Sequence, residues 1–110
     1  MKANYWHKGE AIDYNNTTGS KIAANSVVNL ITRIGVAGTE IQPSQTGSIY
    51  VEGIFKMAKA SSEAIAVGTN VYYDSSNDCI TATAESNIPA GYAVQSTSAS
   101  DDIVIVKLQG

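Results

Sequence analysis

Residues with the chemistry for catalysis are few in this chain. It has one histidine, His7, and one cysteine, Cys79, beside twelve serines. A hydrolytic centre needs a nucleophile, a base and a group that orients the base. Serine could be the first and His7 the second, but no G-x-S-x-G elbow is present to present a hydroxyl on a strained turn. His7 falls in the polar and aromatic lead-in Asn4-Tyr5-Trp6-His7-Lys8-Gly9-Glu10, which makes it a surface histidine before it is a base. Cys79 precedes Ile80-Thr81 with nothing basic beside it to favour a thiolate, so it fits a small buried hydrophobe.

Metal and phosphate chemistry fare no better. Asp74 with Asp78, and Asp101 with Asp102, are the acidic groupings that could hold a hard cation, yet the D-x-[DN]-x-[DN]-G calcium loop is missing. They fit ordinary turn carboxylates. Gly19-Ser20-Lys21 has the end of a phosphate loop without the rest of G-x-x-x-x-G-K-[ST], and no helix pattern follows to aim a dipole at an anion. A single cysteine and a single histidine exclude an internal disulfide framework, a Cys-based zinc site and a His-rich one. No cofactor and no metal are expected.

The aromatic residues suggest contact instead. Tyr5 and Trp6 carry the large rigid area that protein interfaces favour. The alternative is that Trp6 packs over the edge of its own domain. Tyr50, Phe55, Tyr72, Tyr73 and Tyr92 fit core or half-buried strand positions. A different reading puts Tyr50, Tyr72 and Tyr73 on an exposed platform for a carbohydrate or peptide.

These side chains must be held by a small fold. A length of 110 residues makes one domain and leaves no room for a second core. The formal charge is −3 and charged residues are only 15%, against roughly 25% in ordinary domains, so much of the surface is Ser, Thr, Asn, Gln and Ala. With one arginine, Arg33, and an acidic balance, the chain lacks the clustered positive charge of a nucleic-acid partner. It has no apolar run of about 18 residues to span a membrane, and its first residues lack the apolar stretch of a secretory signal. Twelve Ile and nine Val against two Leu favour sheet, because β-branched side chains are stiff at χ1 and suit a pleated surface.

Strands are expected over Ala11–Tyr14, Ser26–Ile31, Arg33–Ala37, Gly47–Met57, Asn70–Asp74, Cys79–Thr83, Tyr92–Gln95 and Asp102–Leu108. Gly53 inside the longest hints at a bulge or close backbone approach. Ile88-Pro89-Ala90-Gly91 is expected to turn. Residues 56–66 have the composition of a short helix without its apolar spacing, so helix and loop both stay open. The unbroken run Ile103-Val104-Ile105-Val106 implies burial on both faces, in a barrel wall or at a subunit contact. Three stretches share a pattern, starting at Ile22, Ile41 and Ile65: an Ile, then a turn-forming residue (Asn25, Ser44 or Gly68), then a strand. This predicts a corner pinned by an inward Ile, with Gly or Asn able to take positive φ. The fold class is all-β: a single domain over residues 11–110, a small barrel or sandwich of about seven short strands, preceded by an arm over residues 1–10.

Several segments, in order, resemble one family. Gly9 to Tyr14, Ile22 to Val28 and Ile34 to Ile41 are similar to the opening of the small phage capsid cement, or head decoration, proteins. Gly47-Ser-Ile-Tyr-Val-Glu-Gly-Ile-Phe-Lys-Met-Ala-Lys59 resembles the family's Val-x-Gly-Val-Phe strand, and Ile65 to Asp74 its Gly-Asp-x-Val-Tyr-Trp-Asp strand. Ile88 to Val94 resembles its Ile-Gly-Tyr-Ala-Val segment, and Asp101 to Leu108 its closing strand. Asn25 departs from a frequent Gly, Tyr73 from Trp, and Pro43-Ser44-Gln45 from an Ala-Gly. The resemblance implies a structural, non-enzymatic protein of a phage or prophage virion, assembled in the bacterial host cytoplasm. It implies homotrimers on the outer head surface, with the major capsid protein as partner. An arm that orders on docking would make Tyr5, Trp6, His7 and Lys8 the contact residues. The contrasting readings are a β-barrel carbohydrate- or peptide-binding module, and a small hydrolase built on His7.

Overall fold

Alternating burial along short strands determines this architecture. A computed structural model describes residues 1–108, which form nine strands in chain order: β1 Ala11–Asn15, β2 Val27–Asn29, β3 Ile34–Ala37, β4 Thr46–Tyr50, β5 Ile54–Ala58, β6 Asn70–Asp74, β7 Cys79–Thr81, β8 Ile88–Ala93 and β9 Ile103–Leu108. One sheet has the order β1-β4-β3-β2 and the other β5-β9-β8-β6-β7. All strand pairings are antiparallel. The domain is all-β and sandwich-like. The edges of the five-stranded sheet meet only at one isolated parallel bridge, Lys59 to Ile80, where Ala60 N–H donates to Ile80 O at 2.9 Å. The sheet therefore curls without closing into a barrel.

Two cores hold the sheets. The larger gathers Met57, Val71, Ile80, Val104, Val106 and Leu108 of the five-stranded sheet, with Ile65 from a loop and Ile34 and Val36 of β3. The smaller joins Val28, Ala37, Ile41 and Ile49, with Tyr14, Ile22, Leu30 and Val51 packed on it. Strand β3 is thus buried on both faces: Ile34 and Val36 point to one core, Ala37 to the other. Fully burying an Ile or Val side chain contributes about 1.5–3 kcal/mol, which makes β3 the seam of the molecule.

The expected corners are present. Ile22 and Ile41 exchange backbone hydrogen bonds of 2.9 Å with each other, and Ile65 pairs with Thr97. After each Ile comes a four-residue turn closed by an N–H to C=O bond: Ser26 to Ala23, Gln45 to Gln42 and Thr69 to Ala66. The third residue of each has positive φ, 69° at Asn25, 65° at Ser44 and 85° at Gly68. That is the mark of a type II turn. A fourth, Ala84 to Asn87 with Ser86 at 61°, has no Ile before it.

Two expectations need correction, and two that stood open are narrowed. The long strand over Gly47–Met57 is two strands in different sheets, because Gly53 at φ 123° turns the chain between β4 and β5. Residues 56–66 form no helix: Lys56 to Ala58 finish β5, and bridges and turns follow. Ile88 to Gly91 is strand rather than turn. Pro89 has no N–H for a ladder, and the register beside it jumps from Val71–Gly91 to Tyr72–Pro89, leaving Ala90 as the extra residue of a bulge. Finally, the run Ile103 to Val106 is not buried on both faces in this single chain. Val104 and Val106 are fully buried, whereas Ile103 is 49% exposed.

Candidate functional site

The lead-in residues stand clear of the domain. Residues 1–9 make no strand, and Tyr5 and Trp6 are 86% and 88% exposed, so Trp6 does not cover the domain's own edge. The Trp6 and His7 rings lie together, centroids 5.1 Å apart and planes tilted by 52°. His7 Nδ1 accepts from Gly9 N–H at 2.9 Å, which turns the chain back on itself. Lys8 Nζ is 3.0 Å from the Glu10 carboxylate. That hydrogen bond and the charge of Glu10 raise the ammonium pKa. Val51 N–H donates to Glu10 O at 3.0 Å and fastens the arm's root to the turn between β4 and β5. The structure thus brings Trp6 and His7 together and leaves Tyr5, Trp6 and Lys8 in solvent.

The chemistry-bearing residues occupy structural posts. Among the described residues, His7 has no hydroxyl or carboxylate within hydrogen-bond reach, its partner being Gly9 N–H. The Cys79 thiol is half-buried, and its pKa is raised first by burial and then by the charges of Asp74, Glu63 and Asp78. A thiolate is disfavoured there, which is the opposite of what a nucleophile requires. Asp74 closes the β6–β7 turn by accepting from Ser76 N–H at 3.0 Å and from Asn77 N–H and Nδ2 at 3.3 and 2.7 Å. The hydrogen bonds from Asn77 and Ser76 hold its carboxyl below the usual range. Asp78 accepts from the Tyr73 hydroxyl, and Asp101 from Ser98 N–H. Among the described residues no three His, Cys, Asp or Glu side chains are grouped to hold a metal ion.

A tyrosine platform does not form. Tyr50 belongs to the four-stranded sheet and lies beside Phe55, centroids 6.2 Å apart. Tyr72 and Tyr73 are neighbours on β6, so their side chains leave opposite faces of the other sheet. Tyr73 packs against the larger core.

Of the three buried polar side chains among the described residues, Asn16, Lys59 and Thr81, the first two anchor loops. Asn16 is fully buried; its amide donates to Ser20 O at 2.7 Å and Ile41 O at 3.0 Å, and its Oδ1 accepts from Thr18 N–H and Oγ1. Lys59 is buried and donates to the carbonyls of Ala60 and Glu63, while the Glu63 carboxylate accepts from the Thr81 hydroxyl and Ala82 N–H. Both fasten loops. An Asn opening the turn letters Thr17-Thr18-Gly19-Ser20 is a faint signal for the first, and no local signal marks the second.

What remains as a working part is an exposed aromatic arm on a two-core β unit. Compared with known protein families, residues 6–108 match the phage cement protein model. The chain belongs to the phage cement protein family. The match begins at Trp6, so it takes in most of the arm's contact candidates as well as all nine strands of the cement protein. No curated protein and no solved structure matches the chain. Membership makes this cement protein a structural component of a phage virion and supports a capsid decoration role.

Proposed function

We propose that this cement protein is a non-enzymatic decoration protein that binds the major capsid protein on the outer surface of a tailed-phage or prophage head. It acts as a homotrimer, is made and assembled in the bacterial host cytoplasm, and stabilises the expanded lattice. Residues 1–10 serve as a docking arm and residues 11–110 as one β domain, of which 109–110 lie outside the described residues. The family match across residues 6–108 carries this reading. The geometry supports it in kind: a two-core unit with a doubly buried seam strand bears exposed aromatic residues on its lead-in.

The physical role is differential affinity. A protein that contacts capsid subunits in their expanded spacing and not in the unexpanded one shifts the lattice toward expansion by its binding free energy. Tyr5, Trp6, His7 and Lys8 provide the arm's contacts, and their burial offsets the entropy lost on ordering.

Co-sedimentation with heads of the phage that encodes the chain tests the proposal. The intact protein is expected to pellet with expanded heads and not with unexpanded ones. A chain lacking residues 1–8 is expected to keep its thermal transition and fail to pellet. Equal pelleting of both proteins would remove the arm's role, and no pelleting by the intact chain would remove the function itself. Light scattering gives the mass of the free protein, and a monomer would rule out the trimer.

A further inference from the structure

The outward face of the five-stranded sheet is apolar where a solvent-facing antiparallel sheet is usually polar. Register places its side chains in rows. Ile54 lies opposite Lys107, which lies opposite Tyr92. Lys56 lies opposite Ile105, whose carbonyl accepts from Val94 N–H at 3.0 Å. Ala58 lies opposite Ile103. Ile54, Ile103 and Tyr92 are 59%, 49% and 39% exposed, and Ile105 and Val94 are half-buried. Directly opposed and diagonal residues on one face are within about 4.5–8 Å of each other, so these apolar groups are contiguous around Ile105.

The charges on this face have one sign. Across β5, β9 and the Tyr92 end of β8, the outward positions carry Lys56 and Lys107 and no carboxylate, in a chain of formal charge −3. Among the described residues neither lysine has an ion-pair partner. Lys107 Nζ stands 6.0 Å from the Tyr92 ring centroid. Glu52 and Asp102 fall in the bends before β5 and β9, outside the ladder. Two copies meeting ladder to ladder would set lysines against lysines, with Glu10 and Glu52 only at the rim, in the hollow beside Lys107. Two isolated cations among isoleucines are also too sparse to follow a nucleic-acid backbone.

We infer that this sheet face, centred on Ile105 with Lys56 and Lys107, docks onto a capsid protein surface that is apolar and carries carboxylates. The inference rests on the capsid-binding function proposed above and adds the surface that performs it. A hollow of about 490 Å³ lined by Glu10, Tyr50, Glu52, Ile54 and Lys107 joins the arm's root to this face. One partner can therefore be gripped by the arm and the sheet together. The isoleucines contribute the burial, and the lysines select the partner and its register.

The test uses the full chain and expanded heads. Lys56→Glu with Lys107→Glu reverses the charge at exposed positions, and Ile103→Asn removes apolar area at a second. Each variant is checked for an unchanged thermal transition and an unchanged solution mass. Each is expected to bind heads at least roughly tenfold more weakly than the parent, the scale of losing one strong interface contact. Parental binding should also weaken with salt in a way the charge-reversed variant does not share. Folded variants that bind as the parent does would overturn the face. A variant that loses mass instead of head binding would assign the face to a second copy and overturn the inference too. If the parent itself binds no heads, the function falls first, and that outcome is distinct because no variant is needed to see it.

Discussion

The side-chain amide of Asn16 donates to the carbonyl of Ile41 at 3.0 Å, joining residues 25 apart in sequence. Asn16 N–H also donates to Gln45 O, and Ser44 N–H donates to Asn16 O, each at 2.8 Å. One buried residue therefore ties the 16–20 loop to the corner that begins at Ile41. Replacing it by Ala removes four side-chain hydrogen bonds, although Ile22 N–H still donates to the Ile41 carbonyl and the Thr18 groups are open to water. Asn16→Ala is expected to cost roughly 1–3 kcal/mol, from the net loss of these hydrogen bonds at about 0.5–1.5 kcal/mol each where no water or other partner replaces them. Urea unfolding reads it; a loss under about half a kcal/mol, the range of ordinary surface substitutions, would mean water replaces the amide without penalty.

Gly47 is the second support of that corner. A β-carbon on it would stand 2.5 Å from Ile41 Cγ1 and 2.7 Å from Cδ1. Ile41 is itself 1% exposed and has no room to withdraw. Gly47→Ala is expected to destabilise by about 1–3 kcal/mol, the usual cost of overpacking. Ile41→Val, which trims the clashing chain, should recover part of that loss in the double variant. Strict additivity of the two changes would show that the β-carbon is accommodated elsewhere.

Residue types mark the corners at Asn25 and Gly68, because Asn and Gly tolerate positive φ after an inward Ile; Ser44, at φ 65°, carries no such mark. The turn at Ser86 uses the same geometry with no Ile before it, so its pattern was not visible. The division at Gly53 was half legible. A lone Gly suggested a kink, but the choice between bulge and sheet change depends on partners far along the chain, β1 and β3 for β4 and β9 for β5. Strand β8 was hidden by Pro89, whose missing N–H is tolerated only because a bulge lies beside it. The arm residues were legible as an exposed aromatic cluster. The outward isoleucines were not: an unbroken apolar run does not say which side is covered, and register alone separates Ile103 from Val104.

The β2–β3 hairpin carries local strain. Ile31 has φ 76° and is 81% exposed at its tip, held there by its N–H to Asn29 Oδ1 at 2.7 Å. A β-branched residue is a genuine outlier in that region. Glycine fits it freely, at the cost of more freedom in the unfolded chain. Ile31→Gly is expected to stabilise by about 0.5–1 kcal/mol net, the strain relief outweighing the entropy. The denaturation midpoint should rise with the slope unchanged, and Ile31→Val should leave it where it is. A lower midpoint for the glycine variant would show that the tip side chain contributes packing that its exposure conceals.

Tyr73 couples the β6–β7 hairpin to pH. Its hydroxyl donates to Asp78 Oδ1 at 2.7 Å. Burial pushes the phenol up to about 12 from an ordinary 10.0, and the hydrogen bond to Asp78 with the nearby negative charges adds to the shift. Below pH 10 both folded and unfolded chains keep this proton, so the contribution to stability is complete. Above it the unfolded chain ionises first, and the contribution drains away as pH rises through about 12. The parent should therefore lose stability across that window faster than Tyr73→Phe, which has no phenol at this position. Asp78→Asn keeps an acceptor and removes the repelling charge, so its decline should be intermediate. Chemical denaturation at several alkaline pH values gives the slopes. Parallel slopes for the parent and Tyr73→Phe would mean the phenol ionises as readily in the fold as outside it, and the hairpin would have no hold on its proton.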